Sequence, residues 1–187
     1  MLTATLKAKT CAHCETRFTP ARPMQAVCSP ACARRKVEAD KKAEKAQTKT
    51  RKEAIKTIPQ LKAEAQVEFN KFIRARDSVQ PCISCGAPPP DLGGLHAGRD
   101  AGHYRSVGSA SHLRYDERNV HAQCVHCNQW KAGNAVDYRL GLIARIGVAA
   151  VESLEADNTP VKWDRDTLRQ IKTIYRAKLR ALQKERA

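Results

Sequence analysis

Eight cysteines in four close pairs constrain what this chain can fold into more than any other feature. The pairs are Cys11 with Cys14, Cys28 with Cys32, Cys82 with Cys85, and Cys124 with Cys127. "CAHC" is followed thirteen residues later by "CSPAC", and "CISCG" stands 38 residues before "CVHC". Two residues between cysteines let one tight turn present both sulfurs to one ion, and zinc takes four such ligands in a tetrahedron. Disulfides are the alternative use of these thiols. The N-terminus has Lys7 and Lys9 but no apolar stretch of signal-peptide type. A chain kept in the reducing cytosol leaves its thiols free for metal, so zinc is the expectation. With four sulfurs filling each site, both zincs are expected to be structural, with no open position for water. His13 and His126 then read as loop residues inside the knuckles.

Composition shows why staples are needed. Aromatic residues make up 5% of the chain and mean hydropathy is −0.57, which disfavours one large core. Small domains with thin cores are commonly held by disulfides or metal. No stretch approaches the roughly 18 apolar residues of a membrane span, so no membrane partner is expected. The formal charge of +15 favours a polyanionic partner, nucleic acid first; the plainer alternative is a solvated basic surface.

The chain divides into four segments. Residues 1–32 form an N-terminal zinc module. Residues 33–78 form a basic and then amphipathic helical segment. Within it, residues 33–57 carry ten basic against four acidic side chains and almost no apolar stripe, beginning with Arg34, Arg35 and Lys36. Such a helix is solvent-exposed or lies along a partner. Pro59 breaks that run, and Leu61, Ala65, Phe69, Phe72 and Ile73 then recur at helical spacing. Residues 79–134 hold the second cysteine set. They include "CGAPPPDLGGLHAG", which reads as loop with Asp91 in a turn, and the alternating run 119–123, which reads as a strand. Residues 135–187 read as helical, with Tyr138, Leu142, Ile143, Ile146 and Val151 up to about Ala156. A final basic helix over 164–186 is capped by Asp164 or Asp166 and lined by Leu168, Ile171, Tyr175, Leu179 and Leu182. The expected fold class is α+β: a small zinc-bound centre flanked by long basic helices. Tyr104, Tyr115 and Trp130 read as packing groups, and Asp116 as a turn residue.

Between the second pair of knuckles, His103 follows the first and Asn119 precedes the second. The second knuckle, Cys124–Cys127, is followed at once by Asn128 and then by Lys131. This pattern resembles the HNH, or ββα-metal, nucleases, and its Asn ending resembles the endonuclease-VII-type Holliday junction resolvases. More closely, "GHYRS", "LRYDERN", "HAQC", "CN" and "GN" resemble the NinG (Rap) family of lambdoid phage recombination nucleases, over most of the chain. The resemblance implies a ββα-metal centre over 79–134, with a catalytic Mg²⁺ or Mn²⁺ beside two structural zincs. It implies His103 as the general base, Asn119 as the residue that ties the hairpin and orients His103, and Asn128 as a metal ligand. Lys131 or Arg105 would hold a phosphate. Many HNH enzymes have Asp immediately before the base, where this chain has Gly102. Asp100, His121 and His112 are the candidate replacements, Asp100 first; alternatively His103 itself binds metal. His96 and His112 otherwise read as loop residues.

The implied activity is metal-dependent cutting of branched DNA, such as Holliday junctions or D-loops, in phage recombination within the cytoplasm of a bacterial host. The partners implied are branched DNA, phage recombination proteins and a second copy of the chain. Twofold pairing would present two active sites to a junction, and the amphipathic segments 60–76 and 164–186 offer surfaces for it. A non-catalytic zinc protein binding DNA or RNA is the alternative that Gly102 supports. An HNH enzyme of homing or restriction type would need a sequence-reading element, and none is evident.

Overall fold

The computed structural model describes residues 6–89 and 98–186. It is a mixed helical and sheet structure made of two compact units, residues 1–56 and 57–187. The basic and amphipathic halves of the 33–78 segment therefore belong to different units. The break falls where Thr57 starts a new helix with a reciprocal cap to Gln60. Among the described residues, no helix is long and apolar enough to cross a membrane.

In the first unit, strands β1 (Lys9–Thr10) and β2 (Arg17–Phe18) pair antiparallel around the first knuckle. Helix α1 (Pro30–Ala54) starts at Ser29, whose hydroxyl accepts from the Cys32 amide, with Pro at the first turn. Cys32 is the only buried residue of α1, as the absence of an apolar stripe requires.

In the second unit, α2 (Ile58–Arg76) runs beside α5 (Arg165–Glu185), and Asp164 caps α5. Leu61, Ala65, Phe69 and Ile73 meet Leu168, Tyr175 and Leu179, and the Phe69 and Tyr175 rings stack edge-on at 4.6 Å. Glu64–Lys172 (2.6 Å) and Glu68–Arg176 (3.1 Å) rim the contact and show that the helices run in the same direction. The two amphipathic faces expected to serve between subunits are thus spent on each other. A second copy would have to dock elsewhere.

Strands β3 (Arg99–His103) and β4 (Val120–Cys124) form an antiparallel hairpin in register Asp100↔Gln123, Gly102↔His121 and His103↔Val120. A 3₁₀ turn, Ser111–Tyr115, lies in the connection between them. The expected single helical run after Asn134 is two helices, α3 (Ala135–Ile146) and α4 (Val148–Ala156). Gly147 separates them at φ 84°, a conformation that favours glycine. The helices bury Tyr138, Leu142, Val151 and Leu154 against Ile83 and Leu113. Gly141 lets α3 approach the loop of the second cysteine cluster, since a Cβ there would fall 1.8 Å from the Ile83 carbonyl.

Asp77, at the C-terminus of α2, ties the helices to the hairpin. Its carboxylate takes a two-pronged pair from Arg76 (2.7 and 2.9 Å) and accepts from the Ala122 amide (2.9 Å). His121 Nδ1 and Arg145 lie 3.6 and 3.7 Å away. Burial raises its pKa, but the neighbouring His121, the hydrogen bonds of Arg76 and Ala122, and the charge of Arg76 outweigh burial and hold it well below the usual carboxylate range. A depressed carboxylate contributes its full stability above its unfolded pKa and loses it as pH falls from there through the folded one. Asp77→Ala should therefore cost about 3–5 kcal/mol. The difference from wild type in thermal melts should stay flat between pH 8 and 5; a difference that closes over that range would contradict the assignment.

Candidate functional site

Each set of four cysteines converges on one point. Cys11, Cys14, Cys28 and Cys32 have all their sulfurs within 4.8 Å of one another, as do Cys82, Cys85, Cys124 and Cys127. Cys14–Cys28 and Cys28–Cys32 separations are both 3.6 Å, and Cys85–Cys124 is 3.8 Å. A tetrahedron with Zn–S bonds of 2.3 Å has edges of about 3.8 Å, so both clusters fit zinc. All eight thiols are free of disulfides. Cys14, Cys32 and Cys11 crowd Cys28 and raise its pKa, while hydrogen bonds from the Cys14, Cys28 and His13 amides lower that of Cys11. Backbone amides aim at the sulfurs, Cys28 N to Cys11 Sγ at 3.4 Å and Cys124 N to Cys82 Sγ at 3.3 Å. The second cluster clamps the two ends of the hairpin unit, because Cys82 and Cys85 precede β3 while Cys124 ends β4.

Asn119 is wholly buried at the foot of β4. Its Oδ1 accepts from the Arg105 amide (2.8 Å), and its Nδ2 donates to the Arg105 and Leu113 carbonyls (3.0 and 3.2 Å). Its own carbonyl accepts from the Tyr104 amide at 2.8 Å. Asn119 therefore pins the chain immediately after His103. The His103 ring is half-buried, with Nε2 3.1 Å from the Arg114 carbonyl. A carbonyl only accepts, so Nε2 carries the proton and Nδ1 keeps the lone pair. Burial lowers the imidazole's pKa, partly offset by the Arg114 carbonyl, and the Arg114 charge lowers it further. His103 lies in a cleft of about 500 Å³ with Tyr104, Ser106, Ser109, Gly133 and Glu155.

Asp100 and Asn128 are brought together. Asn128 Nδ2 and Gln129 Nε2 each donate to Asp100 Oδ2 at 2.9 Å. Asn128 and Gln129 stand on a single π-helical turn, His126–Trp130, that begins within the second knuckle. Asp100 projects from the same strand face as Gly102, two residues away, because strand side chains alternate. His103 projects from the other face and ends the strand.

Gly102 is required where it stands. A Cβ there would fall 2.2 Å from Gln123 Oε1 and 3.0 Å from Gln123 Cβ. Gln123 cannot swing away cheaply, since it is fully buried and its Nε2 holds Ser84 Oγ (2.7 Å) and the Gly133 carbonyl (2.6 Å). Gly102→Asp should cost about 1–3 kcal/mol by overpacking. Gly102→Asp with Gln123→Ala should recover part of that in a denaturant melt. A fully stable single variant would show that Gln123 does not set the choice of glycine.

The other sequence candidates separate. His112 binds the Asp157 carbonyl (2.9 Å), and His121 is buried between the Asp77 cluster and the Arg118 carbonyl (3.2 Å). Of the three candidates to replace the missing Asp, only Asp100 meets Asn128. Asp91 and His96 lie outside the described residues. Arg105 is not available for phosphate: its guanidinium donates to the carbonyls of Leu154 (2.8 Å), Glu155 (3.3 Å) and Asp157 and to Asn158 Oδ1 (2.8 Å), closing the C-terminus of α4. Arg34, Arg35 and Lys131 are exposed, while Lys36 is partly covered and pairs with Asp40 at 2.9 Å. Tyr115 is buried and Tyr104 packs beside the α3–α4 core, as expected, but Trp130 is 80% exposed and packs nothing. Sequence reasoning also missed Asp77, Gln123, Gln129 and the Arg114 carbonyl. Each acts through a partner distant in sequence, and no local motif marks it.

A family model described as Bacteriophage Lambda NinG protein matches residues 3–185. The "Protein ninG" of Salmonella phage P22 is 41% identical over 94% of this chain and 93% of its own length. The "Protein ninG" of Escherichia phage lambda is 39% identical over 94% and 92%, and that of Escherichia phage 933W is 41% identical over 95% and 94%. No solved structure matches the chain. With a family match across almost the whole sequence and relatives near 40% identity along their full lengths, the chain belongs to the NinG family of bacteriophage proteins.

Proposed function

We propose that this protein is a metal-dependent endonuclease that cuts branched DNA by phosphodiester hydrolysis, and that it does so in phage recombination. The observation that carries the reading is the hairpin held between the second pair of knuckles. It presents a half-buried His103 with its Nε2 proton fixed on a carbonyl, and it joins Asp100 to Asn128.

His103 Nδ1 would take the proton from the attacking water. A lowered pKa keeps the ring neutral near pH 7, the form a base needs. Asn119 keeps that ring in place by fixing the backbone of residues 104 and 105. The Asp100 carboxylate is a hard donor of the kind Mg²⁺ and Mn²⁺ take, and Asn128, whose Nδ2 donates to that carboxylate, would add its amide oxygen by turning the amide; the second cysteine cluster holds the strand and turn that carry them. Such an ion, when bound, stabilises charge on the phosphoryl oxygens and the leaving group. The exposed basic side of α1, with Arg34 and Arg35, and Lys131 beside the turn would hold phosphates, giving salt-sensitive binding with little base preference. A protein without a base-reading element suits recognition of branch shape.

The test is cleavage of a labelled four-way junction and of its linear duplex counterpart with Mg²⁺ or Mn²⁺. Junction cutting that needs the divalent ion and His103 supports the reading. Binding without cutting under either metal favours the non-catalytic zinc protein. Equal cutting of both substrates leaves a nuclease without branch preference.

A further inference from the structure

Of the nine aromatic residues, all within the described segments, Trp130 is the one that stands exposed, at 80%. Trp163, by comparison, packs edge-on against Tyr115 and donates its indole N–H to Ser111. An indole left in water on a chain with so few aromatics forgoes burial that the fold needs elsewhere. Trp130 also does not sit on a loose loop. It ends the π-helical turn three residues after the zinc-cluster residue Cys127. The Lys131 amide returns to the His126 carbonyl (3.0 Å), and the Gly133 amide to the Cys127 and Asn128 carbonyls (both 3.0 Å). Holding the ring on a fixed turn reduces the ordering cost of using it in binding.

The neighbours of Trp130 indicate what the ring meets. Lys131 beside it is exposed, on a chain of net charge +15. On its other side Gln129 holds Asp100, and Asn128 is two residues away. A flat π-surface next to a free cation fits a nucleobase with its phosphate, since every base offers a face to stack on and every nucleotide carries a negative charge. Bases inside a paired duplex do not offer that face, whereas unpaired bases at a gap or branch point do. We infer that Trp130 is a stacking residue for an unpaired base, placed beside the Asp100–Asn128 pair so that DNA is gripped where its strands separate. The inference rests on the DNA-binding part of the proposed function and not on cleavage.

The test compares wild type, Trp130→Ala and Trp130→Phe in binding to a single-stranded thymidine oligonucleotide and to a fully paired duplex of equal length, without Mg²⁺ or Mn²⁺. Fluorescence of a Trp163→Phe protein, in which Trp130 is the sole indole, gives a second readout. The expected result is that Trp130→Ala weakens single-strand binding about ten-fold or more. Trp130→Phe should lose less, duplex binding should stay unchanged, and Trp130 fluorescence should be quenched to saturation by the oligonucleotide. Full zinc content and an unchanged melting temperature would show that the variants fold. Unaltered single-strand binding by Trp130→Ala, or an equal loss on both probes, would overturn the stacking role while leaving DNA binding intact. A wild-type protein that binds neither probe would overturn the DNA reading itself, and this inference with it.

Discussion

Cys82→Ser or Cys127→Ser should remove one of two zinc equivalents and unfold much of the 57–187 unit. Both side chains are buried at the second cluster. Their loops hold the start of β3, the end of β4 and the turn that carries Asn128. Binding energy at such a cluster is folding energy, about 10–16 kcal/mol for small zinc-finger peptides, comparable to the whole net stability of an ordinary domain. The α2–α5 pair has its own core and is expected to persist as helix, so loss should appear first in the hairpin and in the α3–α4 core that packs on Ile83. Cys14→Ser should also lose one zinc, but its damage should stay within residues 1–56, because the two cysteine sets lie in separate compact units. Metal content by atomic spectroscopy together with hydrogen exchange distinguishes these outcomes. A Cys82→Ser protein with two zincs, or with an intact hairpin, would contradict the structural role.

The cysteine pairs and most helices were legible because their signals are local. Two-residue spacing marks a knuckle, Asp164 marks a helix start, and Leu61 to Ile73 mark a face. Local signals do not say what a face meets. The apolar stripes of α2 and α5 read equally well as subunit contacts, and only the fold shows that they cover each other. The break at Gly147 was hidden because apolar spacing continues on both sides of it.

The candidate site divides in the same way. Asn119 and Asn128 were candidates through their places in the resemblance, and Asp100 by proximity in sequence. Arg105 was misjudged because an arginine beside a candidate base looks the same whether it awaits phosphate or closes a helix 49 residues later. Trp130 was misjudged because sequence does not reveal which side of a turn an indole faces. Gly102, which looked like a missing ligand, is set by Gln123 across the hairpin.

His103→Ala should lower the rate of junction cleavage by about 10²–10⁴-fold, the usual contribution of a positioned base, with zinc content and junction binding unchanged. The ring is half-buried and bonds only one carbonyl, so its removal leaves the hairpin standing. The wild-type rate should already be on its plateau at neutral pH. It should fall only well into acid, because a base with a lowered pKa stays neutral until pH drops through that value. Asp100→Asn should act differently, raising the Mg²⁺ or Mn²⁺ concentration needed for cutting, since it replaces a charged oxygen ligand by a neutral one.

The most direct measurement is single-turnover cleavage of a labelled four-way junction and its linear duplex, with Mg²⁺, for wild type and His103→Ala. The account predicts metal-dependent cutting of the junction by wild type, little cutting of the duplex, and loss of cutting in the variant while it still binds the junction. A His103→Ala protein that cuts as fast as wild type, or a fully zinc-loaded wild type that binds the junction and never cuts it, would contradict the account.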